Sequence, residues 1–366
     1  MPASPHPTVR STRRRRSVRS ITVVTTLAAL LLSGCGGSPS SSNGPDSGSG
    51  SGDTERTTVR FALDWTPNTN HTGLYVAQQR GWFADAGLDV EILPYTSASP
   101  DTLVDSGAAD FGISYQESST MSQAAGAQVV SVLAVLQHWA TAIAVRADRD
   151  DIASPRDLDG LTYAGFGEPS EVPQLRQVIR SDGGTGEFTA VVLGTSAYEA
   201  LYSGRADFTI PFVAWEGLEA ERSGAPLKWF QYRDFGFPDA YAVIIDGNRD
   251  WLGQYPEAAD AFVGALQRGY QFAADDPDAA AQLLIDANPG VFSDEDLVRD
   301  SQRMLAADLM RDGDGVVGTQ TAAQWQDYGQ FLYDAGLLVG PDGEPLSAEP
   351  DFAGMFTDAH LPVTGN

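Results

Sequence analysis

The residues best suited to hold a small molecule stand directly after the first predicted strand. Residues 58–63 alternate in polarity and contain β-branched and aromatic side chains, which predicts a buried strand. A helix is predicted at 73–81, and the turn before it presents an acid, an indole, two amides and an imidazole: Asp64, Trp65, Asn68, Asn70 and His71. Because ligands bind beyond the carboxyl ends of strands in open α/β sheets, this turn is a predicted ligand-binding segment.

Several further motifs follow this turn in a fixed order. They are Tyr75-Val76-Ala77, Gly81-Trp82-Phe83, Ile113-Ser114-Tyr115-Gln116-Glu117, Val135-Leu136-Gln137-His138, Asp157-Leu158-Asp159-Gly160, Tyr163-Ala164-Gly165-Phe166-Gly167 and Ala214-Trp215-Glu216-Gly217. Together with the turn, they resemble the thiamine-precursor-binding transporter proteins, within the sulfonate/nitrate/thiamine-precursor group of solute receptors. The resemblance covers nearly all of residues 57–340. It implies an α/β, two-lobed periplasmic-binding-protein-like (type II) fold with a hinge of two crossing segments.

The resemblance also implies a function without catalysis. The chain would be a solute-binding lipoprotein of an ABC importer that captures an aminopyrimidine precursor of thiamine, of the formylaminopyrimidine or hydroxymethylpyrimidine type, by closure of its lobes. Its partners would be the ABC permease and its ATPase, and no cofactor is implied. A receptor for another nitrogenous aromatic such as riboflavin, or for an alkylsulfonate, stays open as an alternative.

A further alternative is an enzyme, because pyrimidine-precursor synthases are similar to this family. Those synthases use a lysine-bound pyridoxal phosphate and a histidine, and serine replaces both in the aligned segment 114–118. Lys228 is the only lysine of the chain, so it is the single candidate for Schiff-base chemistry. Both facts favour binding over catalysis.

The implied ligand needs flat aromatic faces and acceptors for its amine. Asp64 and Trp65 offer both from the first lobe, and Glu216 follows a predicted second-lobe strand near 207–211. An ionised Glu216 facing the aminopyrimidine edge would form a charge-assisted pair, so Glu216→Gln is expected to lose roughly 1.5–3 kcal/mol of binding. Alternatively, Glu216 is an acid at a helix N-terminus, and Trp65 packs in the core. Phe212 stands where the relatives are expected to have a tyrosine, which keeps stacking and removes one hydroxyl.

The remaining candidates are polar residues beside other predicted strands. Tyr115 and Gln116 follow a strand at 110–114 and are predicted first-lobe contacts. Glu168 lies at a strand-to-helix junction, where backbone donors usually hold anions, but its charge favours a neutral polar contact, with Ser170 as a capping residue. Asn68, Asn70 and His71 each have a second interpretation as caps of the helix at 73–81.

Strand and helix patterns recur along the chain and predict two α/β lobes. Residues 57–147 and 244–366 are assigned to lobe 1, including a strand at 141–146, and residues 148–243 are assigned to lobe 2. Four amphipathic helices are predicted after residue 254. Two crossings between the lobes would form the hinge on which such proteins close.

The N-terminal residues predict export and lipid attachment. Residues 1–35 combine six arginines with an apolar run at 21–32, which is too short to span a bilayer and is typical of a signal peptide. Cys35 follows Leu32-Ser33-Gly34 as in a lipobox and is the only cysteine, so the predicted site of lipidation is Cys35. Residues 36–56 are rich in Gly and Ser and predict a flexible tether. We therefore expect an extracytoplasmic protein anchored to the cell membrane through its N-terminal lipid.

Charge excludes several partners. The formal net charge is −26, which disfavours nucleic acid and anionic lipid surfaces. The acidic run at 312–315 is a weak indication of a calcium loop, but Met310 and Thr321 occupy positions where such a loop needs acids. No metal site is therefore expected.

Overall fold

A computed structural model describes residues 56–362. The predicted signal peptide, Cys35 and nearly all of the predicted tether lie outside these residues. The ten strands of the described part are β1 (Thr57–Ala62), β2 (Leu88–Leu93), β3 (Phe111–Ser114), β4 (Val129–Leu136), β5 (Ile143–Arg146), β6 (Thr162–Gly165), β7 (Thr189–Val192), β8 (Phe208–Thr209), β9 (Leu227–Phe230) and β10 (Val243–Asn248). Its twelve α-helices are α1 (Thr72–Gln79), α2 (Trp82–Asp85), α3 (Pro100–Asp105), α4 (Gln116–Ala124), α5 (Glu171–Ser181), α6 (Ser196–Tyr202), α7 (Leu218–Arg222), α8 (Arg249–Gln254), α9 (Pro256–Asp275), α10 (Pro277–Ala287), α11 (Glu295–Asp308) and α12 (Ala322–Asp334). Among residues 56–362, no helix combines the length and the apolar character needed to cross a membrane.

The strands form two five-stranded sheets, each at the centre of one lobe. The first has the order β2-β1-β3-β10-β4 and the second the order β7-β6-β8-β5-β9. In the first sheet β1 runs parallel to β2 and β3, and β10 runs antiparallel to both β3 and β4. The second sheet repeats the scheme, with β6 parallel to β7 and β8 and with β5 antiparallel to β8 and β9. The predicted two-lobed α/β fold is confirmed.

One boundary differs from the prediction. The strand expected at 141–146 was assigned to lobe 1, whereas β5 pairs with β8 and β9 in the second sheet. An apolar strand pattern indicates that a strand exists but not the sheet in which it pairs. The chain therefore leaves the first sheet after β4, and the boundary at 147 is too late. The assignment of 148–243 to lobe 2 otherwise stays a proposal.

The packing of α1 against α9 fixes the start of α1. A Cβ on Gly269 would lie 2.0 Å from the carbonyl oxygen of Gly73, so only glycine allows this approach. A Cβ on Gly73 would likewise lie 2.3 Å from the ring of Tyr270. The Tyr270 hydroxyl donates to the carbonyl oxygen of Asn70 at 2.8 Å. These contacts hold the turn after β1 in place.

The two segments that cross between the sheets are tied to each other. His138 Nδ1 lies 2.6 Å from Asp239 Oδ2, and Asp239 Oδ1 accepts from the Trp139 backbone at 3.1 Å. The Trp139 indole donates to the Pro238 carbonyl at 2.9 Å. Its ring packs edge-on against Tyr232 and Tyr328, each with centroids 5.2 Å apart, and so reaches α12. His138 therefore has a structural role.

Candidate ligand-binding site

Asp64, directly after β1, is held by two residues from later elements. Its Oδ1 lies 2.7 Å from His71 Nε2, and its Oδ2 accepts from the Tyr115 hydroxyl. His71 Nδ1 accepts the backbone N–H of Asn68 at 3.3 Å, which places the ring proton on Nε2, facing Asp64. The Asn68 backbone N–H therefore donates to His71, and His71 in turn donates to Asp64.

This arrangement fixes the charge of Asp64. Burial alone would raise the pKa of Asp64, but the hydrogen bonds from His71 and Tyr115 lower it below its ordinary value. Burial and then the charge of Asp64 raise the pKa of Tyr115 well above its usual range. Asp64 is therefore an ionised acceptor and Tyr115 a neutral phenol whose proton points at it, which leaves the phenolic oxygen free to accept.

His71 itself cannot contact a ligand. It is completely buried, and both ring nitrogens are bonded within the protein. The Asn68 side chain accepts from the Asn70 backbone at 2.9 Å, and Asn68 and His71 form a capping box on the short 3-10 turn Thr69–His71. The alternative interpretation as a cap of the following helix is not confirmed, because α1 begins without a side-chain cap. The expectation of a direct His71 contact is wrong because exposure cannot be derived from a motif. The half-buried Asn70 side chain stays a candidate.

The predicted ligand contact of Gln116 is also wrong. It is completely buried, its Oε1 accepts from the Tyr241 backbone at 2.9 Å, and its Nε2 donates to the Gln324 carbonyl at 3.1 Å. The amide oxygen thus joins α4 to the segment before β10, and the amide nitrogen joins α4 to α12. Gln116 serves the fold and is not available to a ligand.

Glu216 is the corresponding acid of the second lobe. It lies in a π-helical turn, Val213–Gly217, and its Oε2 accepts from the Phe212 backbone at 3.1 Å. Burial raises the pKa of Glu216 to about 7, and the charge of Glu219 adds to this. The charge of Glu216 contributes to the raised pKa of Tyr115, so the acid of the second lobe lies near the phenol of the first.

Two tyrosines beside Glu216 were missed by sequence reasoning. Burial and then the charge of Glu216 raise the pKa of both Tyr198 and Tyr202, and the Tyr202 hydroxyl donates to the Glu216 carbonyl at 3.3 Å. They stand four residues apart on α6, the helix that follows β7. Like Tyr115, they follow the end of a strand, and this position was the reason for predicting Tyr115 as a ligand contact. Phe166 packs on Tyr198 with ring centroids 5.6 Å apart, which supplies an aromatic face.

The junction between β6 and α5 differs from its prediction in one respect. Ser170 occupies the N-cap position, but its hydroxyl does not cap the helix and instead donates to Glu117 Oε1 in lobe 1 at 2.6 Å. Glu171 accepts the backbone N–H groups of Phe166 and Gly167 at 3.0 and 3.1 Å. The donors that could hold an anion are therefore occupied by the protein's own carboxylate. Glu168 is exposed beside them and stays a predicted contact.

Trp65 does not pack in the core. Its side chain is 47% exposed and pairs with the exposed Tyr95, with ring centroids 4.9 Å apart. The core-packing alternative is therefore wrong, and stacking on a ligand stays a prediction. Phe212 is half-buried against the core of lobe 1.

An open cleft, here called the outer cleft, lies between the lobes beside these residues. Its volume is about 390 Å³. It is lined by Thr66, Pro67, Trp215, Glu219, Arg222, Ser223, residues 291–294 and Leu297. Trp215 of lobe 2 also packs against a lobe 1 cluster that includes Tyr75 and Leu284. The turn carrying Glu216 is therefore docked on the first lobe.

Other chemically suggestive residues have structural roles. Lys228 Nζ donates to the carbonyl oxygens of Arg149 and Ile152, each at 2.8 Å. Asp312 accepts from the backbones of Asp314 and Val316 and from the Thr319 hydroxyl, as an acidic turn does. Within residues 56–362, no group of three or more His, Cys, Asp or Glu side chains is placed to hold a metal ion.

This fold is the one found in two-lobed solute-binding proteins. Solved structures with the same fold include the alkanesulfonate-binding protein SsuA of Xanthomonas axonopodis pv. citri, bound to MOPS, at a TM-score of 0.61 and 15% identity, covering 83% of this chain and 99% of that one. The periplasmic nitrate-binding protein NrtA of Synechocystis PCC 6803 is similar at a TM-score of 0.55 and 15% identity, covering 76% of this chain and 81% of that one.

The family follows from the sequence. The NMT1/THI5 like family model matches residues 68–280, and the chain belongs to this family. It is 29% identical to the formylaminopyrimidine-binding protein of Halalkalibacterium halodurans over 90% of this chain and 96% of that protein. It is 25% identical to the 4-amino-5-hydroxymethyl-2-methylpyrimidine phosphate synthase THI13 of Saccharomyces cerevisiae over 64% of this chain and 73% of that protein. The predicted resemblance is confirmed, and the relative that matches over more of the chain is a binding protein.

Proposed function

We propose that this protein captures an aminopyrimidine precursor of thiamine for an ABC importer, without catalysis. The observation that carries the proposal is the position of Tyr115 between two buried acids: its hydroxyl donates to Asp64 of lobe 1, and Glu216 of lobe 2 lies near enough for its charge to raise the pKa of Tyr115. The similarity to a formylaminopyrimidine-binding protein over 90% of the chain supports the same ligand class.

The protonation of Glu216 suits an aminopyrimidine. The edge of that ring presents an amine donor beside a ring-nitrogen acceptor. A carboxyl group matches this edge when the pair shares one proton, either as a neutral acid or as a carboxylate facing a protonated ring. With a pKa of about 7, Glu216 can hold that proton near neutral pH. The phenolic oxygen of Tyr115 adds an acceptor, and Trp65 and Phe166 offer aromatic faces.

The mechanism is closure of the two lobes. A ligand that contacts Tyr115 and Glu216 at once has differential affinity for the arrangement that brings them together. The bond between Ser170 and Glu117 adds a direct contact between the lobes in that arrangement. The ligand's contacts would thus favour the closed state, which the permease and its ATPase would recognise.

We further propose that the protein works outside the cytoplasm, attached through acylated Cys35 and a tether at 36–56. The composition of these N-terminal residues supports this. Two alternatives fit less well. A pyridoxal-phosphate synthase needs a free lysine, and Lys228 is engaged with two carbonyl groups. An alkylsulfonate needs donors for its charge, and those at Phe166 and Gly167 are taken by Glu171.

Titration calorimetry of the purified protein would test the ligand class. N-formyl aminomethylpyrimidine, hydroxymethylpyrimidine, riboflavin and taurine should be compared under one set of conditions. We expect binding of the pyrimidines at micromolar concentration or below, and no heat from riboflavin or taurine. Binding of riboflavin or taurine alone would exclude the proposed ligand while leaving the two-lobed receptor intact.

A further inference from the structure

We infer that Arg222 determines the charge of the ligands that the outer cleft accepts: its guanidinium is engaged by two carboxylates of the opposite lobe, so the cleft excludes anions. The inference rests on the proposed function in treating the outer cleft as part of the ligand's path. It concerns residues that do not belong to the Asp64, Tyr115 and Glu216 site.

Arg222 joins the two lobes through three hydrogen bonds. It ends α7 in lobe 2, and its Nε and Nη2 donate to the two oxygens of Asp294 at 2.9 and 3.0 Å. Its Nη1 donates to Asp300 Oδ2 at 2.9 Å. Asp294 is the N-cap of α11 and Asp300 lies within that helix, which packs on α9 and α10 of lobe 1. The two-pronged contact with Asp294 is the geometry in which arginine binds phosphates and carboxylates.

The charge of the outer cleft follows from this pairing. Among residues 56–362, Arg222 is the only basic side chain that lines the cleft, and the lining also contains Asp294 and Glu219. Burial and then the charge of Asp294 raise the pKa of Glu219, so these two acids lie close to each other. The lining therefore carries two acidic groups, Glu219 and Asp294, against the one guanidinium of Arg222, whereas Asp300 lies outside the lining and is also paired with Arg303 at 2.8 Å. A surplus of negative charge therefore faces any ligand in the cleft.

An anionic ligand would have to displace Asp294 from Arg222 and would also meet the charge of Glu219. A neutral or cationic ring meets no such barrier, and Trp215 and Phe292 give the cleft apolar faces. Specificity of this kind depends on repulsion of the wrong ligand as much as on attraction of the right one. Arg222 thus holds the lobes together while being unavailable to a phosphate or sulfonate.

Removing the two competing carboxylates should free Arg222. Asn at both positions in Asp294→Asn/Asp300→Asn keeps side-chain acceptors, and Asn is a good N-cap, so the bond from the Leu297 backbone can persist. The probes are inorganic phosphate and MOPS, titrated calorimetrically at low salt. We expect no binding to the wild type at millimolar concentration and at least tenfold tighter binding to the variant. Adding Arg222→Gln to the variant should abolish the gain.

A matched control removes the same charge elsewhere. Asp148→Asn/Asp151→Asn breaks exposed ion pairs with Arg146 and Arg149, outside the cleft lining and away from Arg222 and its partners. An equal gain in this control, no gain in the cleft variant, or a gain that survives Arg222→Gln would each overturn the inference. Pyrimidine titrations of the wild type run alongside keep the two proposals separate, because failure to bind pyrimidine leaves the anion result interpretable.

Discussion

Ser170 of lobe 2 donates its hydroxyl hydrogen bond to Glu117 of lobe 1 at 2.6 Å, and the other carboxylate oxygen of Glu117 accepts from Tyr328 at 3.1 Å. Burial raises the pKa of Glu117, and the nearby charges of Glu168 and Glu171 add to the effect. The two lobes therefore share a buried polar bond that is separate from the proposed ligand contacts.

The first prediction concerns this bond. Ser170→Ala removes the donor and leaves the buried Glu117 with Tyr328 alone, so the closed arrangement loses roughly 1 kcal/mol. We expect about fivefold weaker ligand binding by calorimetry and a larger radius of gyration by X-ray scattering. Ser118→Ala, an exposed neighbour of Glu117 on α4, is the control. Equal effects of the two substitutions would rule out a specific bond between the lobes.

The second prediction is that ligand affinity depends on pH through Glu216. With a pKa of about 7, Glu216 loses its proton as the pH rises through neutrality. Binding to the aminopyrimidine edge then requires proton uptake, so the dissociation constant should rise about tenfold per pH unit above that pKa. Calorimetry in buffers of different ionisation enthalpy measures both the affinity and the proton uptake.

Substitutions of Glu216 should separate charge from shape. The sequence alone predicted an ionised carboxylate and a loss of binding in Glu216→Gln, but the raised pKa changes this expectation. An amide keeps one donor and one acceptor and does not titrate, so Glu216→Gln should bind within about threefold of the wild type near pH 6, and its affinity should be independent of pH. Glu216→Ala should bind at least tenfold more weakly. If the ligand affinity of Glu216→Gln depended on pH as that of the wild type does, another group would be responsible for the titration.

The third prediction concerns Tyr115. Tyr115→Phe removes the hydroxyl that donates to Asp64 and leaves this buried carboxylate with His71 alone. The pKa of Asp64 should rise, and an acceptor for the ligand is lost, which together weaken binding by about 1.5–3 kcal/mol. Calorimetry measures the affinity, and carbon-13 NMR of the Asp64 carboxyl measures its titration. An unchanged affinity would exclude Tyr115 from the site.

The fourth prediction concerns a pair of buried acids under the first sheet. Asp246 is completely buried and Asp101 nearly so; Ser119 donates to the first at 3.0 Å and Ser122 to the second at 2.9 Å. Burial and then the charge of Asp101 raise the pKa of Asp246 well above its usual range. The folded protein therefore binds more protons than the unfolded chain between the ordinary aspartate pKa of about 3.9 and the raised value, and stability falls as the pH rises through that window.

Asp246→Asn removes this titration and keeps an acceptor for Ser119. We expect a melting temperature at least about 2 °C above that of the wild type at neutral pH, and a difference that disappears as the pH approaches about 4. Calorimetric scans over this range provide the measurement. A variant destabilised equally at all pH values would show that Asp246 does not titrate in this window.

The fifth prediction tests the contact that positions the turn after β1. Gly269→Ala places a methyl group 2.0 Å from the Gly73 carbonyl oxygen, so α1 and α9 must separate. We expect a loss of about 1–3 kcal/mol in the free energy of unfolding together with weaker ligand binding, because Asn70 and His71 move with α1. Gly253→Ala in α8 meets no atom within 4 Å and should be neutral or stabilising. Similar destabilisation by both would contradict the steric explanation.

Much of the fold was predictable from local pattern, whereas the roles of single site residues were not. The first strand, the turn carrying Asp64 and the late helices follow from periodicity and capping chemistry, which act over a few residues. The sheet in which β5 pairs, the complete burial of His71 and Gln116, and the neighbours of Glu216 depend on contacts between residues far apart in the chain. Tyr198 and Tyr202 could have been found from their place after β7, but the pKa of Glu216 could not, since it depends on burial.

The bonds between His138, Trp139 and Asp239 affect how the molecule moves. Two crossing segments without bonds between them would let one lobe slide, tilt and twist over the other. Because the two crossing segments are bonded to each other, they act as a single hinge. The lobes are therefore restricted to one opening and closing motion, which fixes how their facing residues meet. In the proposed mechanism, a ligand bound at Tyr115 would meet Glu216 along this one closing path, so little orientational search would remain.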